Sequence, residues 1–279
     1  MDALLLWIIV FTALGGVVGV MAAAILLLLP DGARDRVMPA LVSFAIGTLL
    51  GAAFLGLLPR ALETSGVASH TIALTVLLAL LGFFLLEKMV LWRHCHAYDC
   101  EIHGSAGAHA DDHDFGHHGH PHHIIERARA AATGGLILVG DGIHNFVDGV
   151  LIAAAFMTNV DLGIVTSVAV LTHEIPQELG DFAILLMSGY SRARALLYNL
   201  ISGFTMVLGG VLAYLSLSVA SAAVPYVLAV AAASFIYIAV ADLIPGLHRR
   251  PELSATVQQV TLIGFGVGVI LLMDQIVAH

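Results

Sequence analysis

With 59% hydrophobic residues and only 11% charged among 279, this chain is too apolar for a soluble domain, where charged residues normally make up about 25%. A mean hydropathy of +0.96 points the same way and excludes a water-soluble domain, a nucleic-acid partner and a disordered scaffold. The net charge of −9 carries little weight in a chain that mostly never meets bulk water.

A bilayer core of about 30 Å needs roughly 20 apolar residues per helix. Eight stretches satisfy this, at about 3–29, 37–59, 70–92, 131–157, 162–188, 195–220, 223–246 and 257–277. The expected fold is therefore all-α: a polytopic membrane protein whose residues 1–279 make one transmembrane domain of eight helices in a compact antiparallel bundle. The first stretch starts Met1-Asp2, lacks a basic leader and a small-residue cleavage site, and so reads as a true span. With the N-terminus outside, the inner ends hold Arg34, Arg36, Lys88, Arg93, Arg127, Arg129, Arg192, Arg194, Arg249 and Arg250, against Arg60 alone outside. Cytoplasmic loops carry the excess of basic residues, so both termini are expected to be extracytoplasmic. Glycines four apart, at Gly15 and Gly19, Gly47 and Gly51, and Gly264 and Gly268, mark candidate close helix approaches.

The connection 93–130 stands apart. It holds His94, His96, His103, His109, His113, His117, His118, His120, His122 and His123, with Asp111, Asp112, Asp114, Cys95 and Cys100. Such composition cannot bury a core, and a cytoplasmic, histidine-rich, disordered loop is expected. His94-Cys95-His96 with Cys100 has zinc-ligand types but lacks a second well-spaced pair. On the adjoining span, Glu87-Lys88 reads as an interfacial pair that snorkels to the membrane surface.

Stretches four and five break the apolar pattern. Asp141, Asp148, Glu174, Glu178 and Asp181 lie between 131 and 188 with His144 and His173, and no lysine or arginine accompanies them. Each ionised carboxylate near the bilayer centre costs on the order of 2.5–3.5 kcal/mol, so compensation must come as protons, metal ions or a water-filled path. His144 and Asp148 share a helix face at i, i+4, with Asp141 one turn earlier and Asn145 beside them. His173, Gln177 and Asp181 form a second row, and Glu174 and Glu178 an adjacent one. Pro176 cannot donate to the Thr172 carbonyl, so span five is expected to bend there and free a backbone oxygen. Imidazole, carboxylate and amide oxygen together suit zinc, iron(II) or manganese.

HNFVDG at 144–149 followed by HEIPQELGD at 173–181 resembles the paired signatures of the ZIP (Zrt/Irt-like) family of divalent-metal transporters. FAIGTLLGAAFLGLLP at 44–59, GFFLLEKMVLW at 82–92 and FIYIAVADLIP at 235–245 are similar to ZIP segments as well. The resemblance implies transport of Zn2+ as substrate, with Cd2+, Fe2+ and Mn2+ as alternatives, into the cytoplasm by an elevator-like motion, and no organic cofactor. It implies a first metal site on His144, Asp148, His173 and Gln177, and a second drawing on Asn145 and Glu174 with Asp148 bridging. Asp141, Glu178, Asp181 and the loop histidines are further candidate ligands. It also implies an inverted repeat relating the first three and last three helices. Gln177, Ala52 and Gly56 depart from the family's usual ligands, and span six offers only Ser202 and Gly203 where some members have glutamate. Val147 replaces a common proline.

The expected partners are divalent metal ions and the lipid bilayer, the expected location the plasma membrane, and a homodimer stays open. An intramembrane zinc hydrolase built on HEIPQ, a metal exporter and a metal sensor remain as rival functions. Asp242 and His248 read as a solvated helix end or an exit site, and Asp274 and His279 as solvated.

Overall fold

The computed structural model describes residues 2–63, 67–97, 121–248 and 252–277, which are almost wholly helical and contain no strand. Eight helical rods follow one another: α1 (Ala3–Leu26), α2 (31–63), α3 (Ser69–Ala97), α4 (Pro121–Thr158), α5 (Val160–Met187), α6 (Arg192–Val219), α7 (221–247) and α8 (Leu253–Val277). Seven are both long and apolar enough to cross a membrane. The other, α5, has the length but carries Asp161, Glu174, Glu178 and Asp181. The helices also overrun the expected 93–130 loop: α3 continues to Ala97 and α4 begins at Pro121, so the loop's two ends are helical rather than disordered. Residues 98–120, with most of the loop histidines and Cys100, lie outside the described residues.

Both α2 and α7 widen into a π-helical turn, at Ala52–Leu57 and Ile238–Leu243. Proline explains both. Pro59 and Pro245 have no N–H, so the carbonyls four residues earlier lose their usual donor. The ladder shifts by one residue ahead of each proline: the Leu58 N–H donates to the Ala53 carbonyl and the Ile244 N–H to the Ala239 carbonyl.

Two bundles result. α1, α4, α5 and α6 pack on one another, and α2, α3, α7 and α8 make the second group. Within the first, Gly149 and Gly209 bring α4 and α6 together so closely that a Cβ at either would strike the partner backbone, at Met206 O and Phe146 O. Gly16 and Gly203 do the same for α1 and α6. In the second bundle Gly47 meets Gly266. Of the expected glycine pairs, Gly264 and Gly268 face open space, and the residue between them makes the close approach instead.

The seam between the bundles runs where α5 meets α2 and α8, and where α4 meets α7. The helices that meet there carry small, fully buried side chains such as Ala45, Ala52, Ala53, Ala169 and Ala232. Glu87 is half-buried and accepts a hydrogen bond from the Tyr237 hydroxyl on α7, tying α3 to the start of the second π-turn.

Candidate metal site

The intramembrane polar residues converge where α4 and α5 cross. His144 and Asp148 project from one face of α4, and His173 and Glu174 from consecutive positions of α5. One ligand atom from each lies within 4.8 Å of all the others. His144 Nε2 is 3.3 Å from His173 Nε2, 3.4 Å from Asp148 Oδ2 and 3.5 Å from Glu174 Oε1. His173 Nε2 is 3.2 Å from Asp148 Oδ2 and 3.8 Å from Glu174 Oε1. Zinc bonds of ~2.0–2.2 Å to nitrogen and oxygen put the corners of a tetrahedron ~3.3–3.6 Å apart. The cluster thus has nearly the dimensions of a four-coordinate zinc shell.

Tautomer and burial reinforce the geometry. His173 Nδ1 lies 3.1 Å from the Ala169 carbonyl, which can only accept, so this nitrogen carries the hydrogen and Nε2 offers its lone pair to the cluster. Asp148, His173 and Glu174 are buried, and neither oxygen of Asp148 or Glu174 has a hydrogen-bond donor. Two carboxylates and a lone-pair imidazole nitrogen converge with His144 Nε2 as the one group among them able to donate, an arrangement that a shared cation stabilises.

Asn145 turns away from this cluster and donates to Asp141 Oδ1 at 2.9 Å. Asp141, Asn145 and Glu178 are all buried, whereas Asp181 is half-buried. Glu174, assigned by resemblance to a second site, belongs geometrically with the two histidines and Asp148. Gln177 instead lines a cavity beside His144. α5 runs through Pro176 as one continuous helix. The side chains of His94, His96, His122 and His123 lie outside the described residues, as do His117, His118 and His120 altogether.

The cavity measures about 560 Å³ and links the cluster to one end of the molecule. Its walls include Met38, Pro39 and Val42 of α2, Gln177 of α5, Asp242 and Gly246 of α7, and Gln259 of α8. Asp242, carried on the π-turn, is solvent-exposed and also lines the cavity, so its position fits both a solvated helix end and an exit site. His144 is the one cluster member with access, its side chain 22% exposed against 0–1% for the others. Toward the opposite end, Leu151, Ile152 and Phe156 are buried, with Trp7 stacked on Phe156 and Phe11 tilted against it.

Fold and site together define an integral membrane protein of the metal-handling kind, with a buried four-donor cluster open to one side. The family model described as "ZIP Zinc transporter" matches residues 2–274, and the chain belongs to that family. It is 32% identical to zinc transporter ZIP4 of Mus musculus over an alignment covering 87% of this chain and 44% of that protein. It is 40% identical to zinc transporter ZIP10 of Danio rerio (51% of this chain, 18% of the relative) and 38% identical to zinc transporter foi of Drosophila melanogaster (58% and 24%). The chain thus spans less than half the length of these curated relatives.

Proposed function

We propose that this chain carries zinc, or a similar divalent transition-metal ion, across a cell membrane, bound as cargo by His144, Asp148, His173 and Glu174. The observation that carries this reading is the near-tetrahedral spacing of four donors on two buried helices without a fixed cation. The names of the relatives support zinc as the ion. Cadmium, iron(II) and manganese share the ligand preferences to a lesser degree.

The cavity opens at the end where α2 starts and α7 finishes, beside Arg34 and Arg36 and next to Arg249 and Arg250 in the sequence. The positive-inside rule supports reading that end as cytoplasmic, with both termini outside and this form inward-open. An inward-open form is common to importers and exporters; import through the plasma membrane is the direction that the family resemblance implies. Gln177 and Asp242 then line the exit, the first lending an amide oxygen and the second a charge. In this reading the α1, α4, α5 and α6 bundle moves along the seam, carrying the metal with it. A hydrolase reading fits less well, because it needs a glutamate free to act as base, whereas Glu174 stands among the four donors.

The test is flux into proteoliposomes holding a zinc-sensitive dye. Wild-type protein should admit zinc, and His144→Ala, Asp148→Ala and His173→Ala should each abolish entry while the protein still folds. Normal flux in folded Asp148→Ala would overturn the assignment.

A further inference from the structure

We propose that Thr48 and Thr172 form a positioning pair that holds the site-bearing bundle in its inward-open register; this rests on the moving-bundle reading above. Their hydroxyl oxygens are 2.6 Å apart, across 124 residues of sequence and across the seam between α2 and α5. Thr48 is fully buried. Thr172 immediately precedes His173, and its own carbonyl has lost its helical donor to Pro176.

The setting makes this bond selective. The helices that meet at the seam carry alanine and other apolar side chains, which hold two helices together but leave their mutual sliding only weakly resisted. A hydrogen bond, by contrast, fades steeply beyond ~3.2 Å, so a shift of a few ångströms breaks it. Two hydroxyl hydrogens serve three contacts, since Thr48 Oγ1 also lies 3.0 Å from the Ala45 carbonyl and Thr172 Oγ1 2.9 Å from the Ala169 carbonyl. When the bundle moves, each hydroxyl falls back on the carbonyl of its own helix. Neither is stranded, and the fold survives the break. The pair therefore favours one register without stabilising either helix on its own. The move exchanges a 2.6 Å bond across the seam for one of 2.9–3.0 Å within a helix, so the bias toward the inward-open form is a fraction of one neutral hydrogen bond, at the low end of a range of about two- to tenfold.

A ligand presented to the far face binds only the fraction of molecules open on that side, so its apparent affinity falls in proportion to that fraction. In proteoliposomes with zinc supplied from the face opposite the cavity, Thr172→Val and Thr48→Val should each lower KM by a factor at the low end of about two- to tenfold. The double variant should do no more than either alone, and Thr172→Ser and Thr48→Ser should keep the wild-type KM. An unchanged KM, additive effects in the double variant, or serine variants that behave like the valine ones would each overturn the pair. Alkylation of Val42→Cys on the cavity wall, with Cys95 and Cys100 replaced by serine, separates this from the underlying reading. If far-side zinc changes that alkylation rate while KM stays fixed in the valine variants, the pair alone is wrong. A rate that far-side zinc never changes means that the bundle does not move, and then both proposals fall.

Discussion

Asp148→Asn is the most informative single change at the cluster. It keeps the shape of the side chain and removes one of the two charges that face the imidazoles. Asp148 Oδ2 stands 3.2 Å from His173 Nε2 and 3.4 Å from His144 Nε2, so it sits at the centre of the donor set rather than at its rim. Four-ligand structural zinc sites bind with roughly 10–16 kcal/mol, or about 2.5–4 kcal/mol per ligand if shared evenly. Losing one ligand should therefore weaken zinc about 10²–10³-fold. The metal-free protein should respond in the opposite sense. Asp148 is buried with the two imidazoles as its only close polar neighbours in the cluster, and deleting its charge removes a desolvation cost of on the order of 2.5–3.5 kcal/mol that they only partly offset. Calorimetric titration of purified protein would give the affinity loss, and thermal unfolding in detergent without metal should show equal or greater stability. A folded variant that binds zinc like wild type would refute the assignment, and so would one whose metal-free form is markedly less stable.

Metal ligands bind zinc only in their deprotonated form, so zinc affinity should weaken as the medium is acidified; isotherms between about pH 5.5 and 7.5 check this. Gln177→Ala should lower flux less than loss of any cluster residue, because an amide contributes no formal charge, and parallel dye-influx traces compare them. Gly149→Ala places a methyl group on the Met206 carbonyl where α4 meets α6, and should cost about 1–3 kcal/mol or more in detergent unfolding. Deleting 103–123 should leave some flux in liposomes but shift the metal dependence of uptake in cells, since this histidine-rich segment offers imidazoles to zinc outside the buried cluster; loss of liposome flux in a folded deletion variant would make the loop part of the pathway.

The helices were legible because a bilayer demands long apolar runs, and charge is conspicuous against that background. His144, Asp148, His173 and Glu174 stood out for the same reason, as carboxylates and imidazoles on spans without a lysine or arginine. Their division among sites was not legible. His173 and Glu174 are neighbours on α5, and only the crossing of α4 over α5 decides that both meet His144 while Asn145 turns to Asp141. The surroundings of Asp242 and Glu87 were not legible because they come from the fold: a π-turn sets one beside the cavity, and the Tyr237 hydroxyl donates to the other. The Gly264 and Gly268 pair failed similarly, since spacing marks a face but not whether a neighbour covers it.

The central claim is that one metal ion sits among His144, Asp148, His173 and Glu174. Diffraction from crystals grown with zinc, recorded on both sides of the zinc absorption edge, tests this most directly. An anomalous peak at ~2.0–2.2 Å from His144 Nε2, His173 Nε2, Asp148 and Glu174 is the predicted result. A zinc peak held instead by Asn145, Asp141 and Glu178, with the four-donor cluster empty, would contradict it.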